Sequence, residues 1–167
     1  MKQSLLAVVV SILAGFLLLI WNPHSSTAAL ALIPWVLAAQ PTNFETLADT
    51  LSKKGVKASA PASIMGKSGV KHEFAFAVLP EGGKAKVVVD TELSVNEVDE
   101  MKVLKFYVKV FDVGPDKAIL CVSPKLNGRA AVLAHEYGIL VFEDDVPKKL
   151  VGQAEKAVQE ALATGTA

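Results

Sequence analysis

Hydrophobic and polar residues divide this chain into two parts with different patterns. Apolar residues dominate from Ser4 to Ala39, and no Asp, Glu, Lys or Arg occurs between Gln3 and Phe44. After Phe44, charged side chains recur throughout, and the apolar positions follow helical or strand periodicities. The pattern predicts a membrane segment over residues 1–41, followed by a folded domain.

Two apolar runs make up the membrane segment. Residues 4–21 are uncharged and would rise roughly 27 Å as a helix, close to the thickness of the hydrocarbon core. Asn22-Pro23 interrupts the pattern, and a shorter run over residues 27–39 contains Pro34. This second run fits a short spanning helix, a re-entrant or interfacial helix, or the end of a long signal sequence.

Basic residues indicate how the segment is oriented. Lys2 precedes the first run, the connecting turn has no Lys or Arg, and Lys53, Lys54 and Lys57 follow the second run. Because basic residues favour the cytoplasmic side of short flanks, a hairpin with both ends inside fits best. The prediction is a cell-membrane protein with a cytoplasmic domain. A single anchor with an exported domain, and a signal peptide cleaved near "STAALA", are the alternatives.

The domain itself alternates between helical and strand patterns. We predict the order helix, three strands, helix, strand, helix, strand over residues 42–146, followed by a last helix that Pro147 can open and a tail, over 147–167. A first strand is expected around residues 56–59, followed by a loop rich in small residues that ends in "GKSG". The turn "PEGG" then joins two apolar strands, 72–79 and 84–93, as a hairpin, and the valine run of the second is typical of an interior strand. Strand-helix-strand alternation in the second half indicates parallel neighbours, so the fold class is α/β with a mixed sheet.

One long helix follows the hairpin. Ser94 and Glu97 have the spacing of a capping box, and the helix is expected to end near Gly114-Pro115. Lys105 and Lys109 would then lie on its outer face. Its predicted inner face is formed by five apolar residues, Val98, Met101, Leu104, Val108 and Phe111.

Composition limits the chemistry of the domain. The chain has 17 basic and 17 acidic side chains, so it does not present the basic surface that binds phosphates, and DNA is disfavoured as a partner. The lone cysteine, Cys121, lies within the apolar run "AILCV" and is expected to be a buried thiol that acts as a small hydrophobe. His72 and His135 have no second His or Cys at ligand spacing, which favours structural hydrogen bonding over metal binding.

Three phrases, "SGVKHEFAF", "VVVDTEL" and "LAHEYGILVFE", carry a resemblance to a known family. In type and order they resemble the archaeal restriction-endonuclease-like family of the PD-(D/E)xK superfamily, which includes type IV restriction enzymes and Holliday junction resolvases. The resemblance covers roughly Phe44 to Glu143. It implies a mixed-sheet restriction-endonuclease-like domain with the order α-β-β-β-α-β-α-β-α.

The resemblance also implies where a catalytic site would lie. Such nucleases hold magnesium between an Asp and an acid of the next strand, beside a Lys. The first acid's position matches Ala75, and the E-x-K triplet matches Asp90-Thr91-Glu92. A methyl group cannot bind a metal ion, and Glu92 places an anion where a cation is required. We therefore expect no catalytic residue, no bound metal and no cofactor.

A displaced site is the alternative. Asp90 and Glu92 project from one face of a strand, and Glu73 on the adjacent strand with Lys105 or Lys109 on the helix would complete it. Magnesium is expected only in that case. The competing interpretation makes the acids solvated groups at strand ends.

These observations predict a membrane-anchored, non-catalytic nuclease-fold domain that acts as an interaction or assembly module. Its expected partners are the lipid bilayer and a protein that the sequence does not identify. The alternatives are a membrane-associated, metal-dependent DNA endonuclease with a displaced active site, and an accessory subunit of a membrane protein complex.

Overall fold

The computed structural model of the protein describes residues 44–80 and 84–164. The predicted membrane helices, 4–21 and 27–39, lie outside these residues. Within the described part, no helix has the length and apolar character needed to cross a membrane. The described helices are α1 (Phe44–Lys53), α2 (Glu100–Val113), α3 (Gly128–Glu136) and α4 (Pro147–Ala163).

Seven strands are described, in two sheets. The larger sheet has five strands in the order β1-β4-β5-β6-β7. β1, β4 and β5 pair antiparallel, whereas β5, β6 and β7 pair parallel. The prediction of a mixed sheet is therefore confirmed. The strands are β1 (Ala58–Ser59), β2 (Ala62–Met65), β3 (Lys71–Phe74), β4 (Phe76–Val78), β5 (Val87–Leu93), β6 (Lys117–Ser123) and β7 (Leu140–Glu143).

Helices cover both faces of the five-stranded sheet. Side chains of α1 and α4 form one apolar cluster with Val87 and Val89 of β5. Side chains of α2 and α3 form the other with Val88. Successive residues of a strand point to opposite faces, so a strand that is covered on both sides is apolar without a break. This explains the continuous valine run of β5.

The strand predictions need two corrections before β5. The segment expected as a single strand over 72–79 is two strands, because the chain leaves the small sheet at Ala75 and joins the large one at Phe76. The preceding loop, rich in small residues, contains β2, which pairs antiparallel with β3. In β2, Ala62 and Ile64 are buried and their neighbours are exposed. This alternation is only four residues long, too short to stand out among small side chains.

Helix α2 differs from its prediction at its start. Its N-cap is Asp99, whose carboxylate accepts a hydrogen bond from the Lys102 backbone N–H at 3.2 Å. Ser94 instead accepts from the Asn96 N–H within the preceding loop. The predicted capping box of Ser94 and Glu97 was therefore wrong. The expected end is confirmed, since Gly114 adopts a left-handed conformation with φ 65° that favours glycine.

The rotational phase of α2 was also wrong. Its core side chains are Val103, Phe106 and Val113. Three members of the expected inner face, Met101, Val108 and Phe111, are 55%, 60% and 71% exposed. The helix has apolar residues on two faces, and periodicity alone does not reveal which face meets the sheet.

The second half of the domain follows its pattern closely. Pro147 occupies the first turn of α4, as expected, and Leu150, Val151, Ala154, Ala157 and Val158 are buried. Cys121 of β6 is fully buried beneath this helix, and its thiol donates weakly to the Leu150 carbonyl oxygen at 3.8 Å. Burial raises the pKa of the Cys121 thiol to about 12. The prediction of a buried thiol is confirmed.

Candidate active site

Polar side chains lie along one edge of α2, where it faces β5 and the β2–β3 hairpin. Lys102, Lys105, Lys109 and Asp112 recur every three or four residues, so they share one side of the helix. We call these four residues the polar edge of α2. Because α2 connects the parallel strands β5 and β6, it crosses the sheet beside the end of β5 that carries Asp90 and Glu92.

The central contact of the polar edge joins Lys109 to Asp90. The Lys109 Nζ lies 2.5 Å from the Asp90 Oδ2, and the two side chains are 27% and 23% exposed. The other carboxylate oxygen, Oδ1, accepts a hydrogen bond from the Thr91 N–H at 3.1 Å. Asp90 is therefore a half-buried, paired carboxylate.

Glu92 forms a second pair nearer the solvent. Its Oε2 lies 3.0 Å from the Lys102 Nζ, and this hydrogen bond raises the pKa of Lys102. Asp90 and Glu92 both contact α2, in agreement with the prediction that they share a face. Each carboxylate is nevertheless bound by its own lysine.

An aromatic ring lies on another side of Lys109. The Lys109 Nζ is 4.9 Å from the centroid of the Phe74 ring, within the range of a cation–π contact. Phe74 is buried, and its ring also meets the edge of Phe106 at a centroid distance of 6.4 Å. The environment of the Asp90–Lys109 pair is thus apolar on the side of β3.

The remaining predicted positions lie apart from this pair. Ala75 packs against the α1/α4 cluster, on the opposite side of the sheet from the residues that contact α2. Glu73 is exposed on β3, where its neighbours His72 and Phe74 are the residues that turn towards α2. Lys105 is exposed, and it forms no ion pair with any residue in the described part of the chain. The structure therefore brings Asp90, Glu92 and Lys109 to one region, without Ala75 or Glu73.

Asp112, the last residue of the polar edge, forms hydrogen bonds with the β2–β3 hairpin. Its carboxylate accepts hydrogen bonds from the Ser68 N–H at 2.8 Å and the Ser68 hydroxyl at 2.6 Å, and it lies 2.7 Å from the His72 Nε2. These bonds, those from Ser68 foremost, lower the pKa of Asp112 to about 2. A Cβ added at Gly66 would lie 1.9 Å from the Asp112 Oδ2, so the loop approaches this closely only with glycine.

Ser68, His72 and Asp112 have the residue types of a hydrolytic triad but a different geometry. In such a triad the imidazole lies between the hydroxyl and the carboxylate. Here the hydroxyl and the imidazole both contact the same carboxylate oxygen, Oδ2. The arrangement fastens the β2–β3 hairpin to α2, and it confirms the prediction that His72 is a structural residue.

The sequence pattern pointed to His72 but not to Ser68 or Asp112. One signal was available: an acid in the last turn of a helix opposes the helix dipole, so Asp112 requires compensating partners.

His135, the other candidate histidine, is 90% exposed and lies 3.9 Å from Glu136, too far for a hydrogen bond. It does not form the structural hydrogen bond that was expected.

Metal binding needs several ligands in one place. Across residues 44–80 and 84–164, no three His, Cys, Asp or Glu side chains are grouped so that they could hold an ion. The carboxylates of Asp90 and Glu92 supply two anionic groups, but a lysine ammonium occupies one oxygen of each. A hard cation would have to displace both lysines.

No known protein family matches the chain, and no curated protein does so. Similar solved structures include AF1548, a protein of unknown function, with 13% identity, 69% of this chain and 66% of that chain covered, and a TM-score of 0.49. Can2 from Sulfobacillus thermosulfidooxidans, in complex with cyclic tetra-adenylate, is 18% identical. The match covers 68% of this chain and 33% of Can2, with a TM-score of 0.48.

The MspJI restriction endonuclease in complex with an oligonucleotide is also similar. It has 15% identity, 83% of this chain and 33% of that chain covered, and a TM-score of 0.39. The chain thus spans about two thirds of AF1548 and a third of Can2 and MspJI. At these scores the similarities carry no conclusion about activity.

Proposed function

We propose that the protein is a membrane-anchored interaction or assembly module built on a nuclease-like domain that does not catalyse DNA cleavage. One observation carries the proposal: the two strand carboxylates at the candidate site, Asp90 and Glu92, are each neutralised by a lysine of α2. The nuclease-like character is inferred from the order of the three sequence phrases, together with a mixed sheet in which a β4–β5 hairpin precedes the β5–α2–β6 crossover.

The surroundings of Asp90 support a non-catalytic role. A metal-dependent nuclease needs two or more anionic oxygens free to replace water around the ion. The Phe74 ring covers one side of Lys109, and Ala75 has its methyl group in the apolar cluster across the sheet. The near-equal numbers of acidic and basic residues also weaken phosphate binding.

The test uses the full chain in detergent, incubated with linear, supercoiled and branched DNA in magnesium or manganese. We expect no cleavage. The comparison is an Asp90→Ala, Glu92→Ala double variant, with Asp116→Ala as a matched control, because Asp116 is an exposed acid paired with Lys84 away from the site. Cleavage that the double variant loses and the control keeps would overturn the non-catalytic proposal. Equal cleavage by all three would indicate a contaminating nuclease.

The endonuclease with a displaced site is the second candidate. It is favoured by the position of Lys109, whose ammonium lies beside a strand carboxylate as the lysine of such a site would. Its active residues would be Asp90, Glu92 and Lys109. In the same assay, Lys109→Met should then abolish cleavage, while Lys105→Met, one helical turn away, should retain it.

Membrane anchoring is part of the proposal and needs its own test. Cys121 is buried with a raised pKa, so the native thiol gives little background to maleimide labelling. Cysteines introduced at Ser25, between the apolar runs, and at exposed Ser52 of α1 should label from opposite sides of the membrane. Labelling of both from the outside would overturn the cytoplasmic hairpin and support an exported domain.

A further inference from the structure

The two edges of the five-stranded sheet differ in how they are protected. β1 is two residues long and lies between Lys57 and Pro61, features that discourage pairing with another strand. β7 is four residues long, and it contains neither Lys nor Pro. Among the described residues, no strand pairs with the outer side of β7.

The outer side of β7 presents backbone groups to a partner. Just beyond the strand, the Asp144 N–H donates to the Val122 carbonyl oxygen of β6 at 3.2 Å. Peptide groups alternate in direction along a strand, so the N–H groups of Val141 and Glu143 point away from β6. Unpaired groups in this arrangement are the template for an added strand.

Three of the four side chains of β7 are apolar and occupy both faces, whereas Glu143 is exposed and accepts a hydrogen bond from the Leu126 N–H at 2.7 Å. Leu140 and Phe142 pack against the α1/α4 cluster, and Val141 packs against the α2/α3 cluster, yet all three remain partly exposed. A cleft of about 510 Å³ runs along the edge of the strand, lined in part by Ala134, Val141 and Phe142. Another, of about 360 Å³, lies between β7 and α4.

We propose that two copies of this chain pair through their β7 strands, antiparallel, to form one continuous sheet. Antiparallel pairing about a two-fold axis presents the same surface on both copies, so that surface must complement itself. With the axis at Phe142, the two Phe142 rings face each other, and aromatic cross-strand pairs of this kind are favourable. Val141 of each copy then lies opposite Glu143 of the other.

Charges beneath β7 favour a second copy as the occupant. Lys156 and Glu160 of α4 line the smaller cleft, and neither forms an ion pair with a residue in the described ranges. Antiparallel pairing of the two strands runs the two α4 helices in opposite directions, which brings Lys156 of one copy towards Glu160 of the other. The formal net charge of +0 removes the general repulsion between copies.

The pairing deepens the proposed assembly role and rests on it, since it names the partner as the chain itself. The two proposals fail separately. A chain that neither cleaves DNA nor pairs through β7 would overturn only the pairing, whereas a paired chain that cleaves DNA would overturn only the non-catalytic role.

The experiment is disulfide cross-linking of the full chain in detergent. In a non-hydrogen-bonded antiparallel pair the Cα atoms are about 4.5 Å apart, within the range of a disulfide. Phe142→Cys should therefore give a covalent dimer on mild oxidation, without interference from buried Cys121. The matched control is Val108→Cys, on the exposed apolar face of α2. Cross-linking through position 108 alone, or through neither position, would overturn the proposal.

A second pair of variants tests the backbone contact. In the Phe142→Cys chain, Val141→Pro removes an outward N–H and should abolish the cross-link, whereas Val141→Thr keeps that N–H and should retain it. A cross-link that survives Val141→Pro with unchanged circular dichroism would contradict strand pairing.

If the proline variant does not fold, hydrogen exchange of the backbone amides in the unmodified chain tests the pairing of β7 instead. The Val141 and Glu143 amides should exchange about tenfold or more slower when paired than after dilution to the monomer. Exchange as fast as in an exposed loop at every concentration would overturn the proposal.

Discussion

The two sides of the five-stranded sheet are stabilised by different kinds of contact. On the α1/α4 side, Phe44 stacks on Phe76 at a centroid distance of 5.9 Å, and Leu150 is 1% exposed. On the α2/α3 side, the apolar cluster is bordered by ion pairs and by the hydrogen bonds of Asp112. Apolar contacts tolerate small shifts, whereas hydrogen bonds require a direction. The comparison indicates that buried apolar side chains stabilise both sides, while the α2/α3 side also fixes where α2 and the β2–β3 hairpin lie.

The largest losses are expected where a fully buried apolar side chain is truncated, and Leu150 on the α1/α4 side is such a residue. Leu150→Ala should lower the free energy of unfolding by about 2–5 kcal/mol, because it removes a buried side chain and leaves a cavity. The measurement is urea unfolding of the full chain in detergent, followed by circular dichroism. Lys148→Ala, exposed on the same helix, should change the result by less than about 0.5 kcal/mol. A small effect of Leu150→Ala would contradict the comparison.

The second-largest effect is expected from acid, which should weaken the hydrogen bonds of Asp112 on the α2/α3 side. The pKa of Asp112 is lowered from 3.8 to about 2, so its contribution to stability is complete above about pH 4 and is lost as the pH falls towards 2. In Asp112→Asn this part of the pH dependence should disappear. Unfolding curves between pH 5 and 2 measure the difference, with Asp116→Asn as the control. Parallel curves for the unmodified chain and Asp112→Asn would show that the contacts with Ser68 and His72 contribute nothing.

Lys109→Met sharpens the comparison at the ion pair. Met keeps an apolar stem beside the Phe74 ring but leaves the half-buried Asp90 without its cation, at a cost of about 1–3 kcal/mol. Lys105→Met is the matched control on the same edge and should change stability by less than about 0.5 kcal/mol. Equal losses for the two variants, in the same urea experiment, would mean that Asp90 is adequately solvated by water.

The smallest effect is expected from Leu104→Ala. Leu104 lies between the buried and exposed faces of α2, so its truncation should cost less than about 1 kcal/mol. Phe106→Ala, two residues later in the buried face, provides the contrast at about 3–5 kcal/mol. If Leu104→Ala proved the more destabilising, α2 would be rotated from the position described.

Much of the fold could be predicted because the local pattern and the tertiary environment agree. The valine run of β5 indicated a strand covered on both sides, and Pro147 with its following apolar stripe located α4. The prediction failed where two local patterns competed. Helix α2 offers two apolar faces, and Ser94 is as good a cap in sequence as Asp99.

The candidate site was predictable only in part. Strand periodicity placed Asp90 and Glu92 on one face, and both do contact α2. Their individual lysines could not be assigned without the correct phase of the helix. Asp112 was missed because its partners, Ser68 and His72, lie 44 and 40 residues away in sequence.

By itself, the sequence determined the division into an apolar N-terminal part and an α/β domain, and most of the helices and strands within that domain. These properties follow from composition and from periodicities of two and 3.6 residues, which act locally. The tertiary structure decided which face of α2 is buried, which lysine meets which carboxylate, and that the GKSG loop fastens to Asp112. Those choices depend on contacts between segments far apart in the chain, which no local pattern records.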